Sequence, residues 1–275
     1  MSYTNYQSHK IPGFLTYLND LVRYRHLCFN LVASDLRSRF RRSRLGILWA
    51  VIQPLAYSLI IAWAWGAIFK ADSYWEFAVY VFSGMLVWEY FSNSIVGALE
   101  GLNNAVGYLR QSRVPFFIFQ VRVPLTGLVT FLAGCVGLFL LMAVLGFLPP
   151  PGGHLLLLPA FILVLIAFMT PLAIMFSVLG TQMHDLKHIM NLSIQALFFL
   201  SPVMMKREFM DSPHLAALKF VNPMVPMLDM FRDPVVYGKL WERQDVLTIY
   251  AWIAGLWIAA MVVAIRGGRR IVFAL

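Results

Sequence analysis

The chain is 275 residues long, 60% hydrophobic and only 13% charged, with a formal net charge of +9. Soluble domains carry about 25% charged residues, so these proportions exclude an ordinary soluble enzyme. They leave a polytopic membrane protein whose excess Lys and Arg marks the cytoplasmic side of a bilayer rather than a nucleic-acid surface.

No Asp, Glu, Lys or Arg occurs in the 62 residues between Arg122 and Asp185, nor in 45–69 or 246–265. A helix crosses a bilayer with about 20 apolar residues. The apolar tracts predict an all-α membrane protein with six spans, at about 46–69, 77–99, 117–147, 154–179, 188–204 and 246–265. Residues 1–45 form a separate segment before this domain of 46–275.

The opening stretch MSYTNYQSHK has no basic-then-apolar pattern of a cleaved signal peptide, so the first span is expected to act as an uncleaved insertion signal. Further on, Leu18, Leu21, Val22, Phe29, Val32, Leu36 and Phe40 fall on one stripe of a 3.6-residue period, while Arg23, Arg37, Arg41 and Arg42 fall outside it. That pattern predicts an amphipathic helix lying at the membrane surface. Five arginines (Arg37, Arg39, Arg41, Arg42 and Arg44) crowd the end of this segment. Among anionic headgroups each contributes on the order of 1 kcal/mol. Gly46 and Trp49 follow at the elbow, Gly permitting a close turn and Trp suiting the interface.

The third tract, from Val114 to Leu148, would extend roughly 50 Å as one helix against a core of about 30 Å. Pro115 and Pro124 bracket Arg122 within it, which predicts a short interfacial helix around 116–122 that bends at Pro124 into the true span. LPPPGG (148–153) predicts a tight external turn, and Pro171 a kink in the fourth span. The short fifth span ends at Pro202. Residues 205–245 then mix apolar clusters, prolines and balanced charge, which predicts two short re-entrant helices in the outer leaflet. No internal repeat of the kind found in inverted-repeat transporters is evident.

An even number of spans puts both termini on one side. With that side cytoplasmic, 15 Lys and Arg lie inside and seven outside, and six of those seven share their loop with six acids. The positive-inside rule therefore predicts cytoplasmic termini. Cys28 and Cys135 are too few to frame disulfides or a zinc site, and His184 with His188, lacking carboxylate or thiol partners, makes a metal site no better.

The stretch SDLRSRFRRSRLGILWAVIQPL (34–55) resembles the N-terminal signature of bacterial ABC-2 type export permeases for polysaccharides. The residues that carry it are Asp35, Arg37, Arg39, Leu45, Gly46, Leu48, Trp49 and Pro54. SGMLVWEYFSNSI (83–95), HDLKHIMN (184–191), SPVMM (201–205) and NPMVPMLDMFRD (222–233) resemble later segments of the same family, in order and with compatible spacing. The resemblance implies a homodimer enclosing a channel in the bacterial inner membrane. Each subunit would dock one copy of a cytoplasmic ABC ATPase, and a lipid-linked polysaccharide would be the cargo. O-antigen is the leading cargo, with capsular polysaccharide or teichoic acid as alternatives. The chain has no GxxxxGK[ST] loop, so ATP hydrolysis is expected in the partner, which would bind Mg-ATP, with no cofactor or catalytic residue here.

A glycan crossing about 30 Å of hydrocarbon must keep its hydroxyls from lipid. Trp63, Trp65, Tyr90, Phe91, Phe198 and Phe199 are candidates for a channel wall, or else for interfacial belts and helix packing. Glu89, placed near the middle of the second span, reads either as a pore-facing group or as one end of a helix–helix hydrogen bond. Arg110, Arg113 and Arg122, with Phe116 and Phe117 beside them, are candidates for guiding a diphosphate headgroup, since Arg holds phosphate oxygens bidentately. The family resemblance assigns ATPase coupling to 100–113 and 181–188, hence to Asn103, Tyr108, His184, Asp185 and Lys187, with Arg39 beside them. The rival reading is a membrane-embedded transferase for lipid-linked sugars. That activity needs convergent acid and base groups, whereas His154 and Asp72 are isolated and no carboxylate cluster accompanies the inner arginines.

Overall fold

The computed structural model describes residues 22–41, 43–66, 73–102, 116–183, 185–205, 207, 210 and 217–274, with Phe116 and 267–274 as backbone only. The described residues are helical and contain no strand. In chain order the helices are α1 (Arg25–Arg39), α2 (Trp49–Gly66), α3 (Tyr74–Gly101), α4 (Phe116–Leu145), α5 (Leu157–Gln182), α6 (Leu186–Phe199), α7 (Leu218–Val221), α8 (Met224–Arg232) and α9 (Arg243–Ala274). A 3-10 turn (Gly46–Leu48) precedes α2, another (Gly153–Leu156) precedes α5, and a π turn (Asp233–Tyr237) follows α8.

The organising element is α3. Every residue from Phe77 to Trp88 is buried, and the helix packs against α2, α4, α5, α6 and α8. Ser73 caps its N-terminus by accepting a hydrogen bond from the Glu76 amide at 3.4 Å, and Glu76 sits in the first turn where the helix dipole favours an acid. Aromatic edges knit the core around it. Phe131 of α4 meets Tyr90 at 5.8 Å, Phe161 of α5 at 6.4 Å and Phe231 of α8 at 5.4 Å between ring centroids.

Four segments are long and apolar enough to cross a membrane: Gly46–Trp65, Phe117–Leu145, Gly153–Gln182 and Arg243–Arg266. They correspond to the first, third, fourth and sixth predicted spans, and they make this a multi-pass membrane protein. The second predicted span is a helix of 28 residues whose first half is buried in protein and whose second half carries Glu89, Ser92, Asn93, Ser94 and Glu100. The fifth is a helix of only 14 residues.

The third tract departs from expectation. No separate helix occupies 116–122; Phe116–Leu145 is one α-helix of 30 residues with Pro124 inside it. The first turns are held by burial on more than one side. Phe117 and Val121 pack with Ile174, while Ile118 and Phe119 pack with Leu102, Cys28 and Leu31. Helices surrounded by other helices in a membrane tolerate the donor that proline removes.

The N-terminal helix also packs differently from its sequence pattern. Its buried residues are Cys28, Leu31 and Val32, and Cys28 and Leu31 lean on the start of α4 and the ends of α3 and α5. Of the predicted stripe, Val32 is buried, Leu36 and Phe40 are half-buried, and Val22 and Phe29 are exposed. Asp35 fixes the docking by pairing with Arg122, Nε to Oδ2 at 3.4 Å. Because Arg122 is only 6% exposed, removing its counter-charge strands a buried cation. Asp35→Asn is expected to destabilise the solubilised protein by about 1–3 kcal/mol. Asp35→Leu combined with Arg122→Met is expected to recover much of that loss, as read from thermal unfolding in detergent.

Candidate functional site

The elbow between α1 and α2 roofs a cleft with about 70 Å³ of water-accessible space. Arg39 and Phe40 close it from α1, Trp49 and Gln53 from α2, and Glu89, Tyr90 and Asn93 from α3, with Thr130 and Phe131 of α4 at its base. Trp49/Gln53 and Glu89/Asn93 are each four residues apart, so each pair lies on one helix face and the two faces oppose across the cleft. Arg39 is the charged group that acts on the Glu89 carboxylate. Glu89 is therefore level with the first turns of α2, and α3 runs 12 residues past it, to Gly101.

The elbow itself hangs on one hydroxyl. Ser43 Oγ accepts from the Gly46 amide and from Trp49 Nε1, both at 3.2 Å. Gly46 adopts φ +53, which favours glycine, and nothing lies within 4 Å of where a Cβ would project.

At the same end of the bundle, Lys187 at the start of α6 pairs with Glu100 at the end of α3. The two segments expected to act in coupling thus meet through an ion pair. Asp185 precedes α6 as its N-cap residue, without a side-chain cap. Arg122 is committed to Asp35, with its guanidinium 5.7 Å from the Phe119 ring. Phe117 is buried. Asn103, Tyr108, Arg110, Arg113 and His184 lie outside the described residues, and Phe116 is described by its backbone alone.

The candidate aromatics divide. Tyr90 and Phe91 are buried within the bundle. Trp88 meets Phe91 at 5.6 Å and Phe198 at 5.3 Å, and Phe198 meets Phe199 at 5.6 Å. Trp63 is 79% exposed and Phe199 59%, and Trp65 is exposed as well. Trp63, Trp65 and Phe199 present aromatic surface outward from α2 and α6. Among the described residues no group of three or more His, Cys, Asp or Glu could hold a metal ion.

The other end of the bundle holds an arrangement that sequence reasoning missed. Arg232, 1% exposed, donates from Nε to Ser83 Oγ at 3.2 Å, from Nη1 to the Pro202 carbonyl at 2.6 Å, and from Nη2 to the carbonyls of Tyr80 and Val203 at 3.1 and 3.0 Å. Its guanidinium also lies 3.6 Å from the centre of the Tyr80 ring. The Tyr80 hydroxyl donates to the carbonyls of Pro202 and Met205. Asn222 Nδ2 donates to the Leu200 carbonyl and to Ser201 Oγ. These contacts clamp the turn after α6 between α3 and α8. Gly84 makes room for the clamp, because a Cβ there would meet Arg232 Nη2.

A second set surrounds Arg207. Nη1 lies 2.8 Å from Asp229 Oδ2 and 3.0 Å from Asp245 Oδ2, and Glu242 stands at 3.9 Å. Burial raises the Asp229 carboxyl to about 7 against the pull of Arg207 and Arg232. The available signal was the six-to-six balance of cations and acids in this loop, since cancelling charges in an apolar setting have to pair.

Taken together, the apolar helices, the clamped turn and the polar cleft at the elbow describe a multi-pass helical membrane protein. The sequence pattern of the ABC-2 type transporter family matches residues 26–235, and the chain belongs to that family. It is 25% identical over 249 residues to the O-antigen export system permease protein RfbA of Myxococcus xanthus, covering 89% of this chain and 94% of that protein. A protein of the same description from Klebsiella pneumoniae is 22% identical over 259 residues, covering 94% and 93%. The polysialic acid transport protein KpsM of Escherichia coli is 25% identical over 216 residues, covering 77% and 82%.

The clamp has a direct test. A lysine at 232 keeps the charge but offers three N–H donors from a single point, where four acceptors converge on a planar fork. Arg232→Lys is expected to cost about 1–3 kcal/mol and to lower the thermal midpoint in detergent. Gly84→Ala is expected to act in the same direction without touching a charge.

Proposed function

We propose that this chain is the membrane-spanning permease of an ATP-driven exporter that moves a lipid-linked polysaccharide, O-antigen first and capsule second, across the bacterial inner membrane. The observation that carries this reading is the near full-length correspondence to a protein named for O-antigen export, over 94% of that relative. The correspondence to the polysialic acid transporter keeps capsule as the second reading, with less of this chain covered.

In this reading α3 and α6 complete six spans. At 28 residues α3 reaches about 42 Å, enough to cross. At 14 residues α6 reaches about 21 Å, and the turn held by Arg232 makes up the remaining depth. The short helices α7 and α8 then return within the outer leaflet, and both termini lie in the cytoplasm. Exposed Phe29 on α1, with exposed Val22 just before it, suits a helix resting in the headgroup layer. Tyr57, Ile60 and Trp63 form an outward apolar face of α2 suited to a second copy of the chain. The cytoplasmic ATPase would engage the end of α3 and the start of α6, where Glu100 and Lys187 meet.

Deleting the gene is expected to abolish surface polysaccharide while the cargo accumulates inside, and a plasmid copy is expected to restore export. Unchanged surface polysaccharide in the deletion strain would refute the assignment. Lys187→Glu is expected to reduce export severalfold, and adding Glu100→Lys to recover it. The pair is over 40% exposed on both sides and contributes only about 0–1 kcal/mol, so thermal stability is expected to change little in either variant. Surface glycan per cell and the thermal midpoint, measured in parallel, separate coupling from folding.

A further inference from the structure

The cleft at the elbow joins aromatic faces to polar side chains that have no partners of their own. The half-buried Glu89 carboxylate and the exposed amides of Gln53 and Asn93 make no side-chain hydrogen bond or ion pair with any described residue. The Tyr90 hydroxyl lies in a residue only 2% exposed and is likewise without a hydrogen-bond partner, as is that of Ser94, 1% exposed, one turn further along α3. Nearly all buried polar groups in folded proteins are paired, and an ionisable group on a membrane helix is costly unless protein, water or ligand satisfies it. The groups that call for a partner are thus the buried Tyr90 hydroxyl and the half-buried Glu89 carboxylate, and with two exposed amides beside them they describe a preformed binding surface.

The chemistry of the ligand follows from the charges. Among the described residues one cation, Arg39, and one carboxylate, Glu89, face the same space and cancel. A phosphate would meet the Glu89 carboxylate at close range, and the nearby Arg122 is already paired with Asp35. The remaining groups are two amides and a phenol hydroxyl, which both donate and accept. Trp49 is exposed, and Phe40 is half-buried beside the same opening. Amides, a carboxylate and an arginine around flat aromatic faces suit a neutral ligand that carries many hydroxyls on a ring with apolar C–H edges.

Building on the export reading, we infer that this cleft is a subsite for a neutral sugar unit of the cargo, held beneath the elbow between α1 and α2 by Glu89, Asn93 and Gln53 against Trp49. It recognises the glycan and not the phosphate of its lipid carrier. Arg39 and Phe40 belong to α1, so the subsite is complete only while α1 is docked.

The test uses the full transporter with its ATPase in its own cells. Asn93→Cys is introduced with Cys28 and Cys135 replaced by Ala, and its reaction with a membrane-permeant maleimide is timed. Three hosts are compared: one that makes the glycan, one that makes the phosphorylated lipid carrier but adds no sugar, and one that makes neither. Labelling is expected to be about fivefold slower only in the glycan-making host, as occupancy by a ligand at about four times its Kd requires. Adding Glu89→Leu is expected to restore the fast rate there, while Phe199→Cys, on the outward face of α6, reacts alike in all three hosts. Protection in the sugar-free carrier host as well would show that phosphate occupies the cleft and would overturn the inference. Equal rates in all three hosts would also overturn it. Cysteine variants that do not accumulate in the membrane are replaced by Gln53→Cys, on the opposing face of the cleft, and read in the same way. Surface glycan in the deletion strain judges the export assignment independently, so a working exporter with an unprotected cleft sinks the subsite alone.

Discussion

A guanidinium taken out of water must find oxygen, and Arg232 imposes that demand on three separate parts of the chain. Its four acceptors come from α3 and from the turn that ends α6, while its own position is set by α8. Unpaired, such a group would cost several kcal/mol. The bundle therefore closes at this end in only one arrangement. Gly84 has to be small, Tyr80 has to present both a carbonyl and a ring, and the Pro202–Val203 turn has to aim its carbonyls inward. The burial of α3 from Phe77 to Trp88 is the wider result of the same closure.

The two ends of the bundle follow opposite rules. Around Arg232 and Asn222 donors and acceptors meet within the fold, and such networks specify a single rigid geometry. At the elbow the polar side chains face a cleft and leave their hydrogen-bonding capacity open. A transporter needs one part that keeps its shape and one that can exchange partners with a passing substrate. In this chain the division falls along α3, whose first half is encased and whose second half carries Glu89, Asn93 and Glu100 on accessible faces.

How much was legible in the sequence depended on what kind of information carried each feature. Charge-free tracts located the four apolar spans, because hydrocarbon excludes charge from whole segments. Gly46 and Trp49 marked the elbow correctly for local reasons, a positive φ and an indole at a boundary. Pro124 misled, since proline breaks a helix only when its neighbours cannot hold the flanking turns, and those neighbours come from α1, α3 and α5. The amphipathic stripe of α1 was likewise only part of its packing, because Cys28, Leu31 and Asp35 dock on protein that the local pattern does not reveal. Glu89 was singled out on its cost in a membrane, and it lines the cleft from near the middle of α3. The Arg232 clamp joins residues about 150 positions apart, a separation at which no local periodicity gives warning.

The docking of α1 also ties the roof of the cleft to the far side of the bundle. Cys28 and Leu31 seat the body of the helix among Leu102, Ile118, Phe119 and Val178, and Asp35 fixes it to Arg122. Arg39 follows only about 6 Å of helix beyond Asp35. The chain then turns at the Ser43 hydroxyl and Gly46 into α2. The position of Arg39 and Phe40 over the cleft is thus inherited from packing against α3, α4 and α5, so a substitution in that distant seat would reach the cleft without touching any residue that lines it.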